Sequence, residues 1–579
     1  MEYDYKFLED LNDIQKEVCI NPYNYIITAC PGSGKTRTIT YRLAYLAEKY
    51  SDSKKLNIAI TYTNRAADEI EDRLSCMGIN RRNVWTGTIH QFCMKYIIRP
   101  YAMYHEKLRK GYQVIDEFVK EEYIKQVAAD KEVKFKYVKD LYSNTLVVGE
   151  YVKRLEKQKK IDFDMILQYS YEILSKNRFV AENIANIIRS IHVDEYQDTN
   201  ELQYIILAQI IYENTNINLL FVGDVNQAIY RNLGGVAKSP DEIRSLFPIK
   251  FIEKTLIGCY RSTQRIVDYY VNYEVASTGV ISVSQIKDKK GTINLDQHTT
   301  KDQLSNKIAG IIQEQLEKGI NQEEICVVAP QWYQIYPMAN ELRRLLPEYK
   351  FDAPEISPIK YDPLNVFFLI AKLLFTKDDG NRHTRRKNAD EIIDMFREDY
   401  EVGIQENIDR LDILKVINTT SIINEDGVQT LKNAITNVCS LLGIEKRGKI
   451  EETYNYFFEK IEGRIYQHNL KSDYKAIQAS FNEKKGIVIN TIHGVKGEEY
   501  TTVIGFDLLN GHLPHWDYFY SEELRVIKHE ETMKMLYVLC SRAKENLFLI
   551  SERGRQTKGW SPKPYKTTEE LACCCFDYD

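Results

Sequence analysis

One stretch of the chain decides its fold: Ala29-Cys30-Pro31-Gly32-Ser33-Gly34-Lys35-Thr36. The apolar run 25–28 before it predicts a strand, and the run 37–43 after it predicts the start of a helix. A phosphate-binding loop requires this context, although the first glycine of the general pattern is an alanine here. The two glycines let backbone N–H groups point at phosphate oxygens. Lys35 brings a positive charge to the terminal phosphates, and the Thr36 hydroxyl can ligate Mg²⁺.

Composition indicates a large folded protein whose charge is close to balanced. The 579 residues carry a formal net charge of -5 and are 44% hydrophobic, which excludes a disordered or a generally basic chain. Any contact with nucleic acid must therefore come from a local groove. The eleven cysteines show no CxxC pair, so we expect no zinc or iron–sulfur site and no disulfide framework.

Targeting signals are not expected. The start of the chain, 1–6, lacks the basic-then-apolar form of a signal peptide, and the longest strongly apolar stretch, 365–375, is too short to span a bilayer. We expect that stretch to be a buried helix, and we expect a cytoplasmic protein with no membrane partner. About 37 residues follow Arg542, from which we expect no appended nuclease domain, since a domain needs roughly 50 residues or more.

Strand-like apolar runs come in two sets along the chain. The first set is 56–62, 190–194 and 219–224, and the second is 325–329, 487–491 and 502–506. Each run ends in polar residues, which would lie at the carboxyl edge of a parallel sheet, where ligands bind in open α/β folds. The segments from about 100 to 160 and from about 355 to 480 are rich in charge and predict helices. We expect two α/β domains, each interrupted by a mainly helical insertion.

Asp194 and Glu195 close one of these strand-like runs. An aspartate in that position can hold Mg²⁺, and the adjacent glutamate can orient and deprotonate an attacking water. An isolated Asp-Glu pair is weak evidence, because most such pairs are solvated loop carboxylates. Together with the phosphate-binding loop, the pair predicts the second half of an ATP-hydrolysis site.

Seven further segments follow in order along the chain: 11–15, 61–67, 86–92, 223–230, 260–262, 491–500 and 537–544. With these motifs the chain resembles the superfamily 1 helicases of the UvrD/Rep type. The resemblance implies two RecA-like parallel-sheet domains that each carry a mainly helical insertion. The first domain is expected to comprise residues 1–100 and 161–250, and the second to comprise residues 251–354 and 481–579. The insertions are expected at 101–160 and at 355–480, and the second of them looks shortened.

The resemblance also implies roles for residues in the ATP site. The catalytic set is Lys35, Asp194, Glu195, Gln227, which senses the γ-phosphate, and two arginines from the second domain, Arg261 and Arg542. Mg²⁺ is expected on Thr36 and Asp194. The residues expected to hold ATP are Gln15, which reads the adenine edge, Ala29, Cys30, Pro31, Gly32, Ser33, Gly34, Lys35, Thr36, Arg37, Tyr260, which stacks on adenine, and Glu499, which links DNA to the ribose.

Single-stranded DNA is expected on another set of motif residues: Tyr62, Thr63, Asn64, Phe92, Tyr230 and His493. Aromatic side chains suit this role because base stacking tolerates any sequence. Ordinary core packing remains the alternative for Phe92 and Tyr62, as does a structural role for His493. The family usually has an aromatic residue and an arginine shortly after the tyrosine of its coupling motif, where this chain has Asn232 and Leu233. We therefore expect ATP hydrolysis, while processive unwinding of duplex stays open.

These features predict an ATP-dependent DNA helicase or translocase that moves 3′ to 5′ on single-stranded or partly duplex DNA. The compact insertion and the short segment after Arg542 are similar to the helicase-like subunit of the Gabija antiphage defence system, which acts with an OLD-family nuclease. A DNA-end-sensing ATPase that signals to a nuclease, a stand-alone repair helicase, and an ATP-dependent interaction protein without a DNA role are the alternatives. The sequence leaves the choice between DNA and RNA open.

Overall fold

The computed structural model describes residues 5–115, 117–135, 138–230, 235–353, 357–378, 382–400, 402–481, 486–515, 522–557 and 563–579. The strands are β1 Tyr25–Ala29, β2 Leu56–Thr61, β3 Val84–Thr88, β4 Gln113–Val114, β5 Lys160–Ile161, β6 Ile188–Asp194, β7 Asn218–Gly223, β8 Ile252–Leu256, β9 Gly258–Cys259, β10 Ile281–Ser282, β11 Thr292–Asp296, β12 Ile325–Ala329, β13 Phe351–Asp352, β14 Ile487–Thr491, β15 Tyr500–Gly505 and β16 Ala543–Ile550.

The α-helices, in chain order, are α1 Asp13–Ile20, α2 Lys35–Lys49, α3 Asn64–Cys76, α4 Ile89–Cys93, α5 Arg99–Tyr101, α6 Glu117–Asp130, α7 Val138–Leu141, α8 Thr145–Lys157, α9 Phe163–Lys176, α10 Arg178–Ile187, α11 Glu201–Glu213, α12 Pro240–Leu246, α13 Gln264–Tyr270, α14 Leu304–Glu317, α15 Trp332–Leu345, α16 Val366–Phe375, α17 Arg382–Glu398, α18 Arg410–Asn418, α19 Gly427–Leu441, α20 Lys449–His468, α21 Tyr474–Ala479, α22 Glu522–Cys540 and α23 Glu569–Ala572.

The first lobe is built on a six-stranded sheet in the order β3-β2-β6-β7-β1-β8. Every neighbouring pair in it is parallel. Its central strands are almost fully buried, as expected of a parallel sheet that is covered by helices on both faces. The carboxyl ends of β1, β2, β6 and β7 meet at one edge, where ligands bind in such folds.

The second lobe has a six-stranded sheet of the same kind, in the order β11-β16-β15-β12-β14-β13. Its strand pairs are also parallel. Separate hydrophobic clusters cover the two faces of the sheet. Two RecA-like parallel-sheet lobes agree with the expected fold class.

The boundary expected at residue 250 comes too early in the chain. Strand β8 pairs with β1 in the first sheet, with Leu256 opposite Ala29, so the first lobe extends at least to Leu256. This strand lies at the sheet edge and exposes most of its residues. With the charged pair Glu253 and Lys254 at its centre, it lacks the continuous apolar pattern of a buried strand. For this reason the sequence analysis did not predict β8 as a strand of the first sheet.

Helical segments interrupt both lobes. Helices α6, α7 and α8 lie between β4 and β5, which form a two-stranded parallel pair that the sequence did not predict. Helices α16 to α21 lie between β13 and β14, neighbours in the second sheet, and have a hydrophobic core of their own. Helix α16 is buried as predicted. Among the described residues, no helix combines the length and the apolarity that crossing a membrane needs.

We define the second insertion as α16 to α21. The buried side chain of Arg99 joins it to the first lobe through ion pairs. The Arg99 side chain is 2% exposed and lies 3.0 Å from Glu391 in α17 and 3.0 Å from Asp399 just after α17. A second tie joins Lys387 of α17 to Glu71 of α3 at 2.7 Å. These contacts hold the insertion against α5 and against α3, the helix that begins at the expected DNA-binding residue Asn64.

Replacing Arg99 by alanine is expected to lower the free energy of unfolding by about 2–3 kcal/mol, because the half-buried carboxylates of Glu391 and Asp399 would lose a charged hydrogen-bond partner. Urea denaturation followed by circular dichroism measures the loss. The matched control is Arg65→Ala, which removes an exposed cross-lobe pair with Glu498 and should cost at most about 1 kcal/mol. Equal losses in the two variants would contradict the expected role of Arg99.

Candidate active site

The phosphate-binding loop joins β1 to α2 as the sequence predicted. Gly32 and Gly34 have φ of 70° and 82°, a backbone region that favours glycine. The second lobe touches the loop here: Tyr260 donates its N–H to the Gly32 carbonyl at 2.9 Å. A Cβ on Gly32 would lie 2.6 Å from the Cβ of Arg261. Only glycine permits so close an approach of the two lobes at the loop.

Gln15 is buried behind this loop. Its Nε2 donates to the Ser33 carbonyl at 3.1 Å, and its Oε1 accepts the N–H of Asn12, also at 3.1 Å. The Asn12 side chain in turn donates to the Tyr260 hydroxyl at 3.1 Å. The nitrogen and the oxygen of the Gln15 side-chain amide therefore support the loop and the start of α1 in this structure. They lie next to the half-exposed Tyr260 ring, which is expected to stack on adenine. The adenine-reading role remains a prediction.

Thr36 and Asp194 meet beneath the loop. The Thr36 hydroxyl donates to Asp194 Oδ2 at 3.0 Å, and the aspartate is buried. Burial, reinforced by the adjacent Glu195 carboxylate, raises the pKa of Asp194 to about 7, so the site favours a cation at this position. Two oxygen donors fit Mg²⁺, which takes its remaining ligands from phosphate and water. The described residues contain no cluster of three or more His, Cys, Asp or Glu side chains suited to a metal.

Glu195 stands at the end of β6 with φ of 51°, which is uncommon for a residue with a side chain and characteristic of functional sites. Gln197 fixes its carboxylate by donating from Nε2 at 2.5 Å. Burial raises the pKa of this carboxyl, but the charges of Lys35 and Lys496 outweigh that effect and lower it. Glu195 is therefore held ionised, the state that a general base requires.

Arg542 reaches across from the second lobe and is 1% exposed. Its Nη2 donates to Gln227 Oε1 at 3.0 Å, and Gln227 donates in turn to Asp224 at 2.7 Å. Burial, with a smaller contribution from the nearby Arg261, lowers the pKa of Arg542 to about 9. A buried guanidinium is thus fastened to the glutamine expected to sense the γ-phosphate.

Arg261 is paired within its own lobe. Its Nε donates to Glu499 Oε2 at 2.7 Å, and its Nη1 donates to the Ser541 carbonyl at 2.8 Å. Burial raises the pKa of Glu499, and Arg261 overcomes this and lowers it. The two residues therefore neutralise each other in this structure. Their expected roles at the γ-phosphate and the ribose stay predictions.

Three of the expected DNA-contacting residues lie together between the lobes. The Tyr62 and Tyr230 rings stack with centroids 4.6 Å apart. The Tyr230 hydroxyl donates to the His493 carbonyl at 3.1 Å, and His493 Nε2 lies 3.2 Å from the Ile229 carbonyl. Side chains from both lobes thus form one surface. We call this surface, made of Tyr62, Tyr230 and His493, the tyrosine pair.

The other expected DNA contacts differ among themselves. Phe92 is fully buried, and its ring centre lies 5.9 Å from that of Trp85 and 5.3 Å from that of Tyr96. This packing favours the core alternative over a DNA contact. Thr63 caps α3 by accepting the N–H of residue 66. Asn64 begins that helix, and its Oδ1 is buried without a hydrogen-bond partner in the described part of the chain. Asn232 and Leu233 lie outside the described residues.

Some site residues carry no prediction from the sequence. Lys496 pairs with buried Asp198 and donates to the Gln227 carbonyl at 2.6 Å, and Glu498 pairs with Arg65 across the lobes. Lys496 and Glu498 lie inside a motif that the sequence had identified, and Asp198 ends the run that follows Asp194. Their positions within these motifs could have identified all three as site residues. Arg37 lies at the edge of the site, with its guanidinium 5.2 Å from the Tyr41 ring centre.

Comparison with known proteins agrees with this geometry. The UvrD/REP helicase N-terminal domain matches residues 11–145 and 136–247, and the UvrD-like helicase C-terminal domain matches residues 381–554. A probable DNA helicase II homolog of Mycoplasma capricolum is 25% identical over 99% of this chain and 88% of its own length. The ATP-dependent DNA helicases PcrA of Bacillus subtilis and UvrD1 of Mycobacterium tuberculosis are 28% and 27% identical, and each alignment covers 45% of this chain and 39% of the relative.

Proposed function

The chain belongs to the UvrD/REP family of ATP-dependent DNA helicases, and on that premise we propose that it is a motor that couples ATP hydrolysis to 3′-to-5′ movement along single-stranded DNA. Lys35 neutralises charge on the terminal phosphates. Thr36 and Asp194 would hold Mg²⁺, which would supply Lewis-acid stabilisation of the phosphoryl oxygens. Glu195 orients the attacking water and accepts its proton. Arg542 and Arg261 neutralise the charge that develops on the transferring group.

One segment carries the proposal, because it joins the ATP site to the tyrosine pair. Gln227 binds Arg542 from one side, and only Ala228 and Ile229 separate it from Tyr230. Lys496 and His493 of the second lobe hold the Gln227 and Ile229 carbonyls at 2.6 and 3.2 Å. A movement of the second lobe during the ATP cycle would therefore pull on, or break, contacts directly next to Tyr230, which supports coupling between hydrolysis and the grip on a strand.

Polarity is tested by displacement of streptavidin from biotinylated oligonucleotides. A 3′-to-5′ motor runs toward the 5′ end, so we expect ATP to accelerate release from a 5′ biotin and not from a 3′ biotin. Lys35→Ala is the control, because it lacks the charge that binds the terminal phosphates. Faster release from the 3′ end, or no release beyond that of Lys35→Ala, would contradict the proposal.

A second candidate function is a DNA-end-sensing ATPase that signals to a partner nuclease in antiviral defence. The observation that favours it is the anchored second insertion, because the contacts of Arg99 with Glu391 and Asp399 oppose movement of this segment relative to the first lobe. Co-purification of the native protein tests it. A stable complex with an OLD-family nuclease would support this role, and its absence would leave a stand-alone motor.

A further inference from the structure

The Tyr260 side chain stands beside the phosphate-binding loop. Its backbone N–H donates to the Gly32 carbonyl at 2.9 Å, which holds the residue against the loop, yet Tyr260 is 48% exposed. One edge of the ring lies close to Gly258, since a Cβ there would be 4.0 Å from Tyr260 Cε2. An accessible aromatic face next to a phosphate site is suited to pack against the base of a nucleotide.

The tip of this ring is held from the other lobe. Asn12, which precedes α1 in the first lobe, donates from Nδ2 to the Tyr260 hydroxyl at 3.1 Å. The two residues are 248 positions apart in the chain, and the bond crosses the junction of the lobes. The orientation of a ring from the second lobe therefore depends on a side chain of the first.

A capping box fixes the direction in which the Asn12 amide points. Its Oδ1 accepts the Gln15 N–H at 2.9 Å and so caps α1, while Gln15 Oε1 accepts the Asn12 N–H at 3.1 Å. Because the cap uses the amide oxygen, the amide nitrogen is directed away from the helix, toward the hydroxyl. Gln15 Nε2 donates in turn to the Ser33 carbonyl. One network thus runs from the phosphate-binding loop to the tip of the ring.

We propose that Asn12 is a positioning residue for the base of the bound nucleotide, because it holds the Tyr260 ring in the orientation against which the base packs. The inference rests on the proposed ATP hydrolysis and assigns a further residue to it. Asn12 acts through the ring and not on the reacting phosphates. Its loss should therefore weaken the binding of ATP and leave the chemical step unchanged, which is a rise in KM at constant kcat.

The test measures kcat and KM for ATP hydrolysis by the full chain in the presence of single-stranded DNA. Asn12→Ser keeps an oxygen that can cap α1 but lacks the amide donor, and Tyr260→Phe keeps the ring but lacks the hydroxyl. Each variant should raise KM about 2- to 10-fold, the effect of one neutral hydrogen bond, with kcat within twofold of the wild type. The double variant should raise KM no further than either single variant, because both remove the same bond.

Two controls separate the ring from the loop and from the helix cap. Inorganic tripolyphosphate, a competitor without a base, should inhibit the wild type and Asn12→Ser equally. Asn144→Ser makes the same substitution at the residue that caps α8, between β4 and β5, and should change neither KM nor kcat. If Asn12→Ser folds poorly in a thermal melt, Tyr260→Phe still tests the bond, because it leaves the cap intact.

The outcomes distinguish the inference from the function on which it rests. An unchanged KM in Tyr260→Phe, or KM increases that multiply in the double variant, would overturn the positioning role and leave ATP hydrolysis standing. Weaker inhibition of Asn12→Ser by tripolyphosphate would also overturn it, because the effect would then lie at the loop, through Gln15. No ATP hydrolysis by the wild type would instead overturn the proposed function, and the positioning role with it.

Discussion

Replacing Arg542 by alanine is expected to slow ATP hydrolysis about 10³- to 10⁵-fold, the range measured for loss of an arginine finger. The guanidinium is buried at the junction of the lobes and bonded to Gln227, so no solvent cation can take its place. Its charge is needed chiefly in the transition state, and ATP binding should weaken much less than turnover. Single-turnover hydrolysis, with binding of a fluorescent ATP analogue measured in parallel, separates the two effects.

Two further variants make that result specific to the guanidinium. Arg542→Lys keeps a charge but loses the planar fork of donors, and we expect it to recover only part of the rate. Arg553→Ala removes an exposed arginine from the same lobe and should leave turnover unchanged. A thermal melt of Arg542→Ala identifies any loss of folding. A folded Arg542→Ala protein that hydrolyses ATP within tenfold of the wild type would contradict the assigned role.

Glu195→Gln is expected to lower kcat about 10²- to 10⁴-fold, because a glutamine cannot accept the proton of the attacking water. The amide preserves the size of the side chain, so the loop, Mg²⁺ and ATP should still bind. The variant should therefore accumulate as an ATP-bound protein with the lobes closed. Steady-state hydrolysis and filter binding of labelled ATP measure the two properties separately.

The matched control is Glu213→Gln, which changes a carboxylate that pairs with Arg178 at the end of α11, away from the site. It should hydrolyse ATP at the wild-type rate. If Glu195→Gln also kept the wild-type rate, another group would have to act as the base. If it lost ATP binding along with turnover, Glu195 would have a binding role instead.

The strands and the ATP site were largely predictable, because their physical requirements are local. Apolar runs such as 325–329 and 487–491 are long enough to fill a buried parallel strand, and the structure has β12 and β14 there. The loop at 29–36 has its glycines where φ is positive. Motif order then brought Gln227 and Arg542 into one site, and the hydrogen bond between them agrees with that assignment.

Features that depend on tertiary packing were not predictable. Phe92 is an aromatic residue inside a motif expected to contact DNA, which is why the sequence favours that role. Only its packing against Trp85 and Tyr96 shows that it belongs to the core. The pairing of Arg261 with Glu499 joins residues far apart in the chain, and each had been given a separate ligand.

The most direct test of a DNA-coupled motor is steady-state ATP hydrolysis by the purified protein with and without single-stranded DNA. The contact of Arg542 with Gln227 and the short link to Tyr230 predict that DNA raises the rate strongly. Lys35→Ala, run in parallel, should abolish both rates and exclude a contaminating ATPase. Equal hydrolysis by the wild type with and without DNA would contradict the coupling and leave a nucleotide-driven subunit without a motor.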